Sequence, residues 1–356
     1  MMSKVSVRRL PILKRAGLLI MVLLLISSAV ACGGGTTSES ADSTNDRDNN
    51  TDSASADDPQ VLKMAHSNNE EHKYHQAMVE VKKMIEERSE GRYEVEVFAG
   101  TLGSDEDLVE GLQMGSVDGA IINTAVLAAL IPDLGVIDMP FMFEDREHAY
   151  RVLDGEIGDD FLRQINEKDI VALSYWENGF KGITNNERPI KTPDDLKGLK
   201  IRTMESEVQL EAFKAWGANP TPMSFSEVYQ AMQQGVIDGH FNAPDTVAAN
   251  KMWEVQDYYS DIPLFYGALV FGFSPQTWNQ FSEEDKEMFT QIAYDSRDFE
   301  RELAEKEAVA GLEELKANMD VVEDPDVEAF IQSVESVWQQ YAAEFSDGLI
   351  EKVANH

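Results

Sequence analysis

Arg202 closes the segment LKGLKIR, and an arginine near the carboxyl end of a strand can present a planar fork to a carboxylate. A period of two puts Lys200 and Arg202 on one side of that strand, opposite Leu199 and Ile201. Lys181, in ENGFKGITNN, could supply a second cation. By spacing alone, both basic residues fit a solvated edge as well as a site. Aromatic residues gather nearby: Trp176, Phe180, Phe225 and Phe241. Each suits a core as readily as a binding wall. Asn123 and Asn242 could donate to ligand oxygens, although strand ends use asparagine without any ligand. The chain has no P-loop, dinucleotide fingerprint, nucleophile elbow or HExxH segment, which weakens the case for an enzyme or a bound cofactor.

A second chemistry is metal binding. His72 and His75 are three apart, in register for one helix face, and His66 ends the run before them. With a fourth ligand the three could hold zinc. The plainer reading is polar residues at a helix start beside a cleft.

A repeated phrase must position these groups. GLQMGSVDGAIIN at 111–123 and AMQQGVIDGHFN at 231–242 share Q-x-G-x-x-D-G, through Gln113, Gly115, Asp118, Gly119 and Gln233, Gly235, Asp238, Gly239. Each copy reads as a helix stopping at Gly, then a strand that carries an Asn near its carboxyl end. Ligands of open α/β sheets sit outside the carboxyl ends of strands. Two such sheets face to face would line a cleft with Asn123 on one wall and Asn242 on the other.

The flanking elements agree. VLKMAHS reads as a strand, and the next helix buries Met78, Val81 and Ile85 and stops at Gly91. RYEVEVFAG alternates as a second strand, and Ser104 caps a helix with acids in its first turn. Strands are expected in DIVALSYWENG, LKIRTM, VIDGHFN and YGALVFGFS, with ANPTPM extended. PDDLKG reads as a short helix, and ESEVQLEAFKAWG and SFSEVYQAMQQG as longer ones. Residues 282–319 have no proline and one glycine, Gly311; as one helix they run about 57 Å and brace more than a single domain.

The ends set the compartment. Lys4, Arg8, Arg9, Lys14 and Arg15 precede an apolar run from Leu18 to Ile26, the pattern of a secretory signal over 1–31. Cys32, the single cysteine, follows at once, in the manner of a bacterial lipobox cysteine that takes a lipid. Residues 32–60 read as a disordered acidic tether. Removing the signal leaves 25 basic against 65 acidic residues, a net charge of −40. Such a surface argues against nucleic acid and anionic membranes and suits a salt-rich medium. An anionic ligand then requires positive charge concentrated at the site.

GFKGITNNERPIKTPDDLKGLKIRTMES, GANPTPMSFSEVYQAMQQGVIDGHFNAP and AGTLGSDEDLVEGLQMGSVDGA together resemble the extracytoplasmic solute-binding proteins of TRAP transporters, the DctP family. The resemblance covers nearly all of 61–356. It implies a two-domain α/β fold of the periplasmic-binding-protein kind (type II-like), with a central cleft, hinge strands and a long bracing helix. Domain I is expected over 61–178 plus about 268–305, and domain II over 179–267 plus about 306–356. The resemblance also implies binding of an organic acid, a C4-dicarboxylate or a sugar acid such as a uronate, and delivery to a permease of two membrane subunits. It makes Arg202 the carboxylate clamp, Asn242 a ligand contact and Phe225 a ring that packs on the ligand. The resemblance also puts Asp105 and Asn123 at positions that contact the ligand or its waters in some members, and His66 where the first strand reaches the cleft, all three as ligand-binding residues. Two residues depart from the family pattern: Lys181 stands where many members have a second Arg, and Phe241 where many have Glu. An enzyme on the same scaffold and a zinc-binding lipoprotein stay open as alternatives, as does a sensory role.

Overall fold

The computed structural model describes residues 58–346 and 348–356; the signal segment, Cys32 and most of the tether lie outside them. The tether ends earlier than expected. Gln60 already belongs to the first strand, with its N–H on the Arg92 carbonyl at 2.9 Å.

Among the described residues nine strands form one mixed sheet: β1 (Gln60–His66), β2 (Tyr93–Ala99), β3 (Gly119–Asn123), β4 (Val171–Asn185), β5 (Lys200–Thr203), β6 (Asn219–Pro222), β7 (Gly239–Asn242), β8 (Tyr258–Phe273) and β9 (Asp320–Val322). Their order is β2-β1-β3-β8-β4-β7-β5-β6, with β9 beside β8. The order is symmetric about its middle. β2-β1-β3 and β6-β5-β7 are parallel trios, and each meets an antiparallel strand, β8 or β4. β4 and β8 are long, pair with each other, and join the two trios.

Residue types explain the difference between trio and centre. β2 alternates buried Tyr93 and Val95 with exposed Glu94 and Glu96, as a strand with one wet face must. β4 and β8 are buried nearly throughout because helices cover both faces. The sequence reading stopped β4 at Gly179 and began β8 at Tyr266. Both strands run further, and their register shifts between Glu177 and Gly179, where Gly179 stands opposite Gly267.

The repeated phrase has one structural job in each trio. Gly115 and Gly235 take φ of 75° and 68°, the left-handed backbone that releases a helix. Asp118 Oδ2 then accepts the Lys63 N–H at 2.8 Å, and Asp238 Oδ2 accepts the Lys200 N–H at 2.8 Å. Each aspartate thereby locks its new strand to a parallel neighbour.

The bracing helix spans Glu283–Asn318, 36 residues and about 54 Å. Ser282 caps it, accepting the Asp285 N–H. The first long helix, Lys73–Arg88, ends on Ser89 rather than Gly91, and His72 is its cap rather than part of its face. PDDLKG forms only a 3-10 turn, Pro193–Leu196.

Candidate functional site

The carboxyl ends of β1, β3, β5 and β7 converge on a cavity of about 420 Å³ of non-atom space, open solvent included. Arg202, Lys181, Asn242, Phe225, Asn123 and Asp105 all line it. His66 does not; it sits behind the wall with its Nε2 3.2 Å from His75 Nδ1.

Arg202 is 4% exposed, at the end of the four-residue strand β5. Its Nε donates to the Met223 carbonyl at 2.9 Å, the side chain's one hydrogen bond among the described residues. The two terminal amino groups have no hydrogen-bond partner among the described residues. The guanidinium carbon lies 5.9 Å from the centre of the Phe225 ring, which backs the charge with an aromatic face. Burial lowers its pKa to about 10, against the raising influence of Glu106 and Asp105, so it stays charged at neutral pH.

Lys181 is 2% exposed, and its ammonium lies 5.7 Å from the Phe241 ring centre. Burial brings its pKa down to about 8, while Asp138 opposes the shift. A lysine here is a point charge and lacks the fork that Arg202 offers.

Asp105 opens the Asp105–Met114 helix. One oxygen accepts the Asn123 N–H at 3.1 Å and the other the Ser67 hydroxyl at 3.0 Å. Burial pushes its pKa up to about 6, with those two donors pulling the other way. Asn123 spends its carbonyl oxygen on the Ala125 N–H, and Asn242 spends its own on the Ala243 N–H at 3.0 Å. Each thereby orients its amide.

Sequence reasoning missed Asn68, Asn178, Thr246 and Met204, which also line the cavity. Asn178 sits at the register shift of β4; its Nδ2 donates to Asn242 Oδ1 at 3.4 Å, and its Oδ1 accepts from Thr246 at 3.3 Å. No local spacing marks it, because the bulge in β4 is what turns it inward. The cavity opens beside a wider cleft lined in part by Asn69, Tyr229 and Lys251. The walls meet at its rim: Asn69 Nδ2 reaches the Ala249 carbonyl at 3.1 Å, and Asn250 Nδ2 reaches Asn68 Oδ1 at 3.0 Å.

The zinc reading is corrected. His72 turns away from the other two histidines, with its Nε2 2.9 Å from the Thr246 hydroxyl. Among the described residues no group of three His, Cys, Asp or Glu could hold a metal. Burial drives the pKa of His66 to about 3, with His75 adding to the shift. Two of the aromatic candidates are also placed. Phe241 lines the cavity, whereas Trp176 stacks on Phe271 in the core.

Comparison with known proteins gives the family. The model of the bacterial extracellular solute-binding proteins of family 7, named DctP, matches residues 64–344. The C4-dicarboxylate-binding protein DctB of Bacillus subtilis is 32% identical over 275 residues, 76% of this chain and 79% of its own. A TRAP periplasmic solute-binding protein of Polaromonas, bound to D-erythronate, superposes with a TM-score of 0.81 at 32% identity, covering 83% of this chain and 98% of that one. A Bordetella counterpart, with density assigned as pantoate, gives 0.80 at 37% identity and the same coverage. The chain belongs to the bacterial extracellular solute-binding proteins of family 7, the DctP family of TRAP transport components, and is a binding protein rather than an enzyme.

Proposed function

We propose that this chain captures a small hydroxylated organic acid outside the cytoplasmic membrane, closes on it, and hands it to a TRAP permease of one large and one small membrane subunit. The observation that carries this reading is Arg202: a buried guanidinium with its fork unspent, aimed into a cavity. Around it stand Asn68, Asn123, Asn178, Asn242, Ser67 and Thr246, side chains that suit hydroxyl groups. Arg202 takes the carboxylate, Phe225 packs on the ligand, and Lys181, Asn123 and Asn242 hold its remaining oxygens. Asp105 acts by fixing Asn123. A thermal-shift screen of organic acids on residues 58–356 tests this. Stabilisation by short sugar acids is expected, and a screen in which no organic acid raises the melting temperature overturns it.

Closure is a hinge motion between 61–178 plus about 268–305 and 179–267 plus about 306–356. The register break of β4 at Gly179, facing Gly267, supports those boundaries. Cys32 carries a lipid that anchors the tether to the outer face of the membrane. Labelling with a radioactive fatty acid tests the anchor; label that persists in Cys32→Ser counts against it.

A further inference from the structure

Each asparagine on the cavity wall has its polarity fixed by groups beyond the wall. Asn123 Oδ1 accepts the Ala125 N–H at 3.1 Å, and Asn242 Oδ1 accepts the Ala243 N–H at 3.0 Å. A backbone N–H can only donate, so each amide turns its oxygen to the backbone and its nitrogen away. Asn178 must then face Asn242 Oδ1 with its Nδ2, at 3.4 Å, and its Oδ1 accepts the Thr246 hydroxyl at 3.3 Å. The far end of this chain of bonds imposes the same order. The Tyr74 N–H donates to His72 Nδ1 at 3.2 Å, which leaves the ring proton on Nε2, 2.9 Å from the Thr246 hydroxyl oxygen. Thr246 accepts that proton's bond and gives its own to Asn178. At the rim, Asn250 Nδ2 donates to the Thr246 carbonyl at 2.9 Å and to Asn68 Oδ1 at 3.0 Å. A carbonyl can only accept, so Asn68 too has its oxygen engaged.

These bonds leave mainly donors facing a ligand. The Nδ2 groups of Asn68, Asn123 and Asn242, the terminal nitrogens of Arg202 and the Lys181 ammonium line the cavity and have no hydrogen-bond partner among the described residues. Asp105, the one carboxylate among the described lining residues, has both oxygens engaged, by the Asn123 N–H and the Ser67 hydroxyl. Among the described lining side chains, the oxygens that accept no bond are the hydroxyls of Ser67 and Tyr74.

We infer that the cavity selects its ligand by hydrogen-bond polarity: it takes hydroxy acids and rejects amino acids of the same skeleton. A ligand hydroxyl accepts from one of the free amides and gives its single proton to a hydroxyl oxygen or to its own carboxylate. An ammonium accepts nothing and has three protons to place. It would meet nitrogens at Asn68, Asn123 and Asn242 where it needs oxygens, and it would be desolvated beside the like charges of Arg202 and Lys181. A buried donor without an acceptor loses its hydration uncompensated, and a charged one loses most. Selection here works by rejecting the wrong ligand as much as by holding the right one.

The inference rests on the hydroxy-acid reading proposed above, and the test separates the two. The protein is titrated calorimetrically at pH 7 with D-gluconate and D-glucosaminate, and with D-glycerate and D-serine. Each pair differs only at the second carbon, hydroxyl against ammonium. The wild-type protein is expected to bind the hydroxy acid of at least one pair roughly tenfold or more tighter than its amino counterpart. Asn242→Asp keeps an oxygen for the Ala243 N–H and turns a second oxygen to the cavity. It is expected to narrow that ratio about tenfold or more, in part through gained affinity for the amino acid. Damage to the site would weaken both ligands and cannot produce that gain. Asn123→Asp makes the same exchange beside the Ala125 N–H and covers the case in which Asn242→Asp fails to fold. A wild-type protein that binds the amino acids as tightly as the hydroxy acids, or variants that weaken both members of a pair alike, overturns selection by polarity. A wild-type protein that binds none of the four overturns the hydroxy-acid reading on which the inference stands.

Discussion

The ammonium of Lys73 lies 2.8 Å from the carboxylate of Asp245, and both side chains are buried. The first opens the Lys73–Arg88 helix on the β1 side; the second lies in the short helix Pro244–Ala249 that follows β7. Lys73 also donates to the Asn178 carbonyl at 2.9 Å, so one charge joins two lobes and the hinge strand between them. The contact with Asp245 is a close ion pair without hydrogen-bond alignment. Removing Lys73 alone strands a buried carboxylate. Lys73→Met is expected to destabilise the chain by about 3–5 kcal/mol, and Lys73→Met with Asp245→Leu by much less. Denaturant unfolding of both variants measures this; equal losses would remove the pair from the account.

Arg202 offers a test of ligand geometry. Arg202→Ala is expected to weaken binding at least tenfold, which is about 1.4 kcal/mol or more. Arg202→Lys should recover little, because an ammonium cannot make two parallel hydrogen bonds to one carboxylate. Calorimetric titration with the acid that emerges from the screen reads both. Full rescue by lysine would mean that charge, not the fork, is what the site uses.

Lys181 makes binding depend on pH. Its pKa is lowered to about 8 by burial. A bound anion favours the charged form, so affinity is highest below pH 8 and declines as pH rises through that value. Lys181→Met should flatten the profile between pH 7 and 9. A wild-type profile that is already flat over that range would count against a ligand contact by this ammonium.

Glu300, inside the bracing helix, should make stability depend on pH. Burial raises its pKa from 4.5 to about 8, Lys73 pulling the other way, and its Oε2 accepts the Glu177 N–H at 2.8 Å. Between pH 4.5 and 8 the folded chain holds a proton that the unfolded chain has released. Its favourable contribution is therefore complete below pH 4.5 and is lost as pH rises to 8. Glu300→Gln keeps the acceptor without the charge, so its melting temperature should gain on the wild type steadily over that window. A constant difference from pH 5 to pH 8 would contradict this.

Gly311 tests how closely the bracing helix lies on the Pro244–Ala249 segment. A Cβ there would stand 2.6 Å from both the Cα and the N of Asp245. Alanine in mid-helix normally gains about 1 kcal/mol over glycine. Here the clash is with backbone, and overpacking of that kind costs about 1–3 kcal/mol. Gly311→Ala is expected to lower the melting temperature and Gly311→Val to lower it further.

Much of the site was legible because its residues close short strands. Arg202 follows two alternations of Lys and apolar residues, and Asn123 and Asn242 follow a phrase that occurs twice. The same period-two logic failed in β4 and β8. Strands buried on both faces lose their alternation, and the glycines at the bulge look like strand ends. Asn178 was hidden for that reason. The histidines misled because i, i+3 spacing implies one face only where both residues are helical. His72 is a cap, and its ring turns toward Thr246 instead.

β4 and β8 also bear on how the molecule comes apart. β8 gives its carboxyl end to β3, β4 gives its own to β7, and the two long strands pair with each other. The trio β2-β1-β3 lacks its antiparallel neighbour until β8, late in the chain, is laid down, and only the β4–β8 pairing joins it to the other trio. The two trios are therefore expected to melt together, as one cooperative unit with a single heat-absorption peak.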